Sequence, residues 1–418
     1  MADRHELAAQ ATGPLAGVRI VDMTSVVNGS YATQILGDQG ADVIKIEDPG
    51  SARGGGDTMR WTGKVPTGAP RDLGPIFVTI NRNKRSLTLD LREQVSVNSL
   101  LGLVGNADVF VSSVRAEGLK RLGLDYDSLR SVKPDLIYVH TSGYGAAGAY
   151  GGDPAYDDLV QAASGLSSLY TLVDGDPTPR PVPTLIADKV SGLFVAQAIT
   201  AALLHRERTG EGQFVEVPML ECVTSFTLVE HLYGHAYCPP VDDWGYWRVT
   251  NKWRRPVPTR DGFVAMLPYT DRQWHEFFAI VGWSETIGRD PRFAADAERY
   301  EHIDQLYALL DTVTIERTTD EWIAVLRPHS IPVMRVNRLD DLETDPHLAS
   351  VGFFERYVHP DAGEYLQIRP PVSFGGSPSN IRRHPPRLGE HNSQILIAIA
   401  AGEWPDQSDS TTDGTDID

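Results

Sequence analysis

The sequence predicts an α/β protein in two domains, the larger built on a mainly parallel sheet. Three observations carry that expectation. The chain has 418 residues, more than one ordinary core holds. Short β-type runs alternate with helical stretches through the first 220 residues, the pattern of strand–helix–strand units. After about residue 235 the composition shifts to Pro, Trp and Arg before a shorter α/β stretch begins.

The elements follow in order. Residues 1–13 read as a flexible tail. The large domain, 14–225, opens with strand patterns at 18–24, 41–47, 85–91, 107–113 and 135–145. Helical stretches at 31–40, 92–106 and 117–124 separate them. An amphipathic run at 155–170 reads as one long helix. A strongly apolar helix at 188–210 closes on basic residues and Gly210, a C-terminal signature. Residues 213–219 alternate as a sixth strand. A linker (226–262), a small α/β domain (263–336), a C-terminal segment returning to the large domain (337–400) and a disordered acidic tail (401–418) complete the expectation.

Composition excludes several classes. Hydrophobic residues make up 41% and charged residues 22%, ordinary globular usage. The polar N-terminus carries no secretory h-region, and no uninterrupted apolar run reaches membrane-spanning length, so a cytoplasmic protein is expected. Cys222 and Cys238 are too few for a disulfide framework or a CxxC metal site. A net charge of −18 disfavours nucleic acid. The turn after the first strand, TSVVNGS, lacks the G-x-G-x-x-G that dinucleotides require, and there is no P-loop or G-x-S-x-G elbow. His231 and His235 have i, i+4 spacing, but Glu230 precedes the pair and no third ligand is evident, so no metal is expected.

Two features carry candidate chemistry. Arg82, Lys84 and Arg85 stand just before a strand, where a cationic cluster can hold phosphates or simply form a solvated basic turn. Arg115, Lys120 and Arg121 form a second basic patch on a helix. Asp188 directly precedes the long apolar helix. As an N-cap it would stabilise that helix. A helix N-terminus also favours the ionised carboxylate, the form a nucleophile needs, and both roles are compatible.

Several segments in order, PLAGVRIVDMTSVVNGSYATQILGDQGADVIKIEDPG (14–50), INRNKRSLTLDLR (80–92), ADVFVSSVRAEGLKRLGLDYDSLRSVKPDLIYVHTSGYG (107–145), PAYDDLVQAASGL (154–166), ADKVSG, LLHRERTGEGQFVEVPML (203–220) and PRLGEHNSQIL (386–396), resemble the family III CoA-transferases, the CaiB–BaiF family. The resemblance implies a Rossmann-like large domain, a small domain and an interlocked homodimer. It places the family's nucleophilic aspartate at Asp188. That carboxylate would attack the donor acyl-CoA to give a mixed anhydride, CoA thiolate would return on the aspartyl carbonyl, and the aspartyl-CoA thioester would pass CoA to a free acid. CoA is then a substrate, and no cofactor is implied. The resemblance also assigns Ser25, Val26, Leu89, Arg92 and Arg121 to CoA and sets Tyr156 near the active carboxylate. Val27, Asp48 and Pro154 depart from the formyl-CoA transferase branch, which has glutamine, arginine and lysine there, and that branch's glycine-rich flap has no clear counterpart. Its racemases share the fold but pair the aspartate with a histidine, where this chain has Tyr156; a racemase and a non-catalytic CoA-binding relative are the alternatives. Trp244, Tyr246, Trp247 and Trp253, interleaved with Arg248, Arg254 and Arg255, suit an acceptor pocket or, equally, a packing loop.

Overall fold

A computed structural model describes residues 5–50 and 54–407. The chain divides into two compact units, Met1–Leu166 with Pro181–Thr227 and Ser350–Asp418, and Ser167–Arg180 with Leu228–Ala349.

The first unit is organised by six parallel strands: β1 (Arg19–Met23), β2 (Asp42–Glu47), β3 (Lys84–Thr88), β4 (Val109–Ser112), β5 (Ile137–Ser142) and β6 (Gln213–Pro218), in the order β3-β2-β1-β4-β5-β6. Successive side chains on a strand point to opposite faces. Val21, Ile44, Leu87, Phe110 and Tyr138 therefore build one core with helix Gln94–Val104, while Ile20, Val43, Val109, Ile137 and Val139 build the other. Helices Asn28–Asp38 and Ile186–Thr209 cover that second face. They meet closely at Gly192, where a Cβ would lie 2.7 Å from the Asn28 carbonyl oxygen. Helix Ile186–Thr209 is long and apolar enough by length and composition to cross a bilayer. Here one of its faces, including Val195 and Ile199, is core.

The second unit holds a three-stranded antiparallel sheet, β7 (Val257–Pro258), β8 (Phe263–Met266) and β9 (Val333–Arg335). Its core centres on Trp274, Phe277, Leu306, Leu310 and Trp322. Capping boxes at Thr270–Gln273 and Thr318–Glu321 start two of its helices. In the first unit, β10 (Phe354–His359) and β11 (Gly363–Ile368) form a hairpin.

Several boundaries differ from the sequence expectation. The helix expected over 155–170 is broken: Asp157–Ala163 ends at Ser164, and Gly165 turns with φ +82°. Residues 167–180, expected in the large domain, and 228–262, expected as linker, join the second unit, and the return to the first unit comes at 350 rather than 337. The N-terminal stretch is tied down from residue 5, with His5 N–H bonding the Arg356 carbonyl and Thr12 Oγ1 the Pro378 carbonyl. The tail is likewise held through Gln407: Trp404 Nε1 donates to Asp42, and Arg85 takes the carbonyls of Pro405 and Asp406. Residues 1–4 and 408–418, the rest of the two expected tails, lie outside the described residues.

Candidate active site

The strand order reverses direction between β1 and β4, and the crevice beyond the carboxyl ends of strands at such a point is where open α/β sheets bind ligands. Two clefts open there, of about 350 and 450 Å3. Ser25, from the turn after β1, lines both. Its backbone N–H donates to Ser113 Oγ at 3.2 Å, tying the β1 turn to the β4 turn.

That turn is unusual. Val26 adopts φ +64°, a region β-branched residues avoid and in which strain collects at functional sites. Asp57 Oδ1 accepts the Val26 N–H at 3.1 Å, while Asp57 Oδ2 lies 3.1 Å from Lys45 Nζ. Lys45 also donates to the Thr24 carbonyl at 2.8 Å. Lys84 Nζ bonds Asp22 at 3.2 Å, the Ser30 carbonyl at 2.8 Å and Asn81 at 2.8 Å. Asp22 takes the hydroxyls of Thr24 and Thr33, each at 2.6 Å. Burial pushes the Asp22 carboxyl up, but Lys84 and Lys45 outweigh it and hold it below its usual range. A buried lattice of paired charges thus fixes the turn. Gly29 completes the close approach, since a Cβ there would meet Thr24 Cγ2 at 2.4 Å.

This lattice corrects the phosphate reading of Arg82, Lys84 and Arg85. All three are at most 2% exposed. Arg82 pairs with Asp38 at 2.7 Å, Lys84 with Asp22, and Arg85 with Asp42 at 2.6 Å. Their charge is spent on carboxylates inside the fold.

The first cleft contains Asp188. Helix Ile186–Thr209 starts after Leu185, so Asp188 is its third residue and not its cap. Its side chain is 8% exposed and faces the cleft with Val26, Asn28 and Tyr156. Burial, reinforced by the neighbouring Asp157 carboxylate, pushes the Asp188 carboxyl up to about 7, so the full ionisation expected from the helix terminus is corrected to partial protonation near neutrality. Asn28 joins the elements around it: Thr141 Oγ1 of β5 donates to Asn28 Oδ1 at 2.7 Å, and Asn28 Nδ2 donates to Ser191 Oγ. Tyr156 is 71% exposed on the cleft rim. Pro154 and Arg115 also line this cleft. The second cleft brings Leu89 and Arg92 together with Ser25 and Asp48. Arg92 is exposed and forks onto Asp90 at 2.7 Å through both Nε and Nη2. Val27 is buried, and Arg121, exposed at the end of helix Ala116–Arg121, lines neither cleft.

Sequence reasoning missed Asn28, His140, Asp157 and Glu216, all of which line the Asp188 cleft. It also missed the segment 143–155, where Gly143 and Gly152 line the cleft; the density of glycine in GYGAAGAYGG was the available signal. Several residues of the Trp-rich stretch pack within the second unit. Trp247 and Trp253 lie against its core, Trp244 stacks on His235 with centroids 4.4 Å apart, and the Arg248 guanidinium sits 4.7 Å over Tyr269.

A sequence model of CoA-transferase family III matches residues 15–392. An acyl-CoA transferase of Fusarium pseudograminearum is 33% identical over 94% of this chain and 86% of its own length. A succinate–glutarate CoA-transferase of Agrobacterium fabrum is 31% identical over 92% and 96%. A crystal structure of a CaiB/BaiF family protein from Brucella suis superposes with a TM-score of 0.77 at 28% identity, covering 93% of this chain and 100% of its own.

Proposed function

The chain belongs to CoA-transferase family III, and from that premise we propose that it moves CoA from an acyl-CoA to a free carboxylic acid through an aspartyl-CoA thioester on Asp188. The observation that carries this reading is a buried carboxylate, Asp188, facing a cleft at the switch point of the sheet.

An Asp188 oxygen adds to the thioester carbonyl carbon, the C–S bond breaks, and CoA leaves as thiolate. The thiolate attacks the aspartyl carbonyl of the mixed anhydride and releases the donor acid. The acceptor carboxylate then attacks the aspartyl-CoA thioester, and the returning thiolate takes the acceptor acyl group and frees Asp188. No net proton is consumed. Holding the partners in one cleft replaces bimolecular encounters, which lowers the barrier by up to about 7–11 kcal/mol, and excluding water protects the anhydride. Ser25 and Val26 stand beside Asp188, and Leu89 and Arg92 line the adjoining cleft, an arrangement suited to CoA lying across the β1 turn.

A homodimer, with the subunits interlocked, belongs to the same reading. Leu193, Phe194 and Leu204 leave an apolar stripe exposed on helix Ile186–Thr209, at 52%, 39% and 50%.

Intact-mass spectrometry after incubation with acetyl-, succinyl- and longer or aromatic acyl-CoA tests the mechanism. A covalent CoA adduct on the wild type and none on Asp188→Asn is expected; native spectra of the same samples should show twice the 45.9 kDa chain. Absence of adduct with every donor, together with α-proton exchange into deuterated solvent, would replace transfer by racemisation. Acceptors to offer include succinate and glutarate, the substrates in the name of the Agrobacterium relative.

A further inference from the structure

The N-terminus of the long helix leaves backbone N–H groups without partners inside the helix, and Leu185 at the cap position supplies none. Asp157, the first residue of a different helix, fills the gap: its Oδ1 accepts the Asp188 N–H at 3.0 Å. Its Oδ2 accepts from Gln161 Nε2 at 2.6 Å. Gln161 is fully buried and grips the irregular segment leading into the long helix. Its Oε1 accepts the Val182 N–H at 2.8 Å, and its Nε2 reaches the carbonyls of Val182 and Thr184 at 3.3 and 3.2 Å. Asp157 and Gln161, one turn apart, thus form a clamp whose contacts all converge on the approach to Asp188.

We propose that Asp157 is a positioning residue for Asp188, fixing the first helical turn through the Asp188 N–H and setting a second negative charge against the reacting carboxylate. The proposal rests on the reading of Asp188 as the nucleophile. Two carboxylates facing one cleft repel. When Asp188 attacks, its charge passes to the departing thiolate and the repulsion is relieved, so the cost falls on the resting enzyme more than on the transition state. A more basic carboxylate is also the better nucleophile. The remaining titratable groups lining the cleft are Arg115 after β4, His140 on β5, Tyr144, Asp153 and Tyr156 on the glycine-rich segment, and Glu216 on β6. His140 Nε2 is engaged with the Val114 carbonyl at 3.0 Å, and Glu216 accepts the Ala146 N–H at 2.8 Å. On the long helix itself, Lys189 turns onto Thr184 Oγ1. Burial and Asp157 are the causes that raise Asp188.

The test compares Asp157→Asn, which keeps an oxygen for the Asp188 N–H but drops the charge, with Asp157→Ala, which drops both. The carboxyl carbon of 13C-labelled Asp188, assigned by its loss in Asp188→Asn, reports ionisation whether or not CoA is transferred. In the wild type it should titrate near 7, and in Asp157→Asn roughly one unit lower or more. The acid limb of kcat/KM against pH should move with it, kcat at pH 8 should fall about ten-fold with KM for acyl-CoA little changed, and Asp157→Ala should lose more. An Asp188 signal that titrates at the same pH in wild type and Asp157→Asn overturns the proposal, whatever happens to the rate. A wild type that titrates as expected yet forms no CoA adduct sinks the transfer reading instead.

Discussion

Asp188 sits where the fold opposes its ionised form. Its carboxyl is pushed from an ordinary 3.8 up to about 7, first by burial and then by Asp157. A folded chain that binds this proton more tightly than the unfolded chain loses stability as pH rises from about 4 through about 7, and the loss is complete above that. Asparagine cannot ionise, so Asp188→Asn should abolish transfer and yet be more stable than wild type at pH 8. The gain should be about 2–4 kcal/mol, shrinking steadily as the pH is lowered to 5. Thermal melts of the two proteins across that range measure it, and a gain independent of pH would contradict the assigned ionisation. Asp188 was singled out in the sequence by the family resemblance; by position alone it read as the cap of a long apolar helix. Its ionisation was not legible. That depends on burial and on Asp157, which is 31 residues away in the chain and meets Asp188 only once two helices are packed.

At the scale of elements, the strands and the long helix were legible because their cues are local. Short β-type runs mark β1 to β5, alternation marks β6, and Gly210, at φ +76°, stops the helix where the sequence expects. The break at Gly165 and the fate of Arg82, Lys84 and Arg85 were not. A basic run looks solvated until its carboxylate partners are known, and Asp22, Asp38 and Asp42 lie on or beside other strands. Helix pairing is equally non-local. Gly192 lets the long helix sit against helix Asn28–Asp38, and a side chain there must push on backbone rather than on a movable group. Gly192→Ala should destabilise the protein by about 1–3 kcal/mol. Gly375→Ala, where a Cβ meets nothing within 4 Å, is the control and should melt with the wild type.

For the whole molecule, both ends of the described chain act as straps on the first unit. The segment after the last helix (Asn392–Ala400) supplies the Trp404 indole to Asp42 and two carbonyls to the buried Arg85. Removing residues 403–418 leaves Arg85 short of two acceptors in a buried setting, which costs about 1–3 kcal/mol per unsatisfied group. Ending the chain after Gln407 removes none of these contacts. The longer truncation should therefore melt earlier and the shorter one should not, as differential scanning calorimetry would record. The sequence placed the onset of a disordered acidic tail at 401 because composition alone turns acidic there, and only the fold reveals that Trp404 and its neighbours are anchored.

The two lysines and two aspartates beneath the β1 turn, Lys45, Lys84, Asp22 and Asp57, carry equal and opposite charge and are sealed from water. Dissolved ions have nothing there to screen, so the shape of the turn is indifferent to ionic strength. Salt acts instead on exposed cations such as Arg92 and Arg115. Alkali is the agent that reaches the interior. Burial, above all, lowers Lys84 to about 8, and above that pH the enclosed ledger is one positive charge short, with Asp22 left to face its burial on a weakened partner.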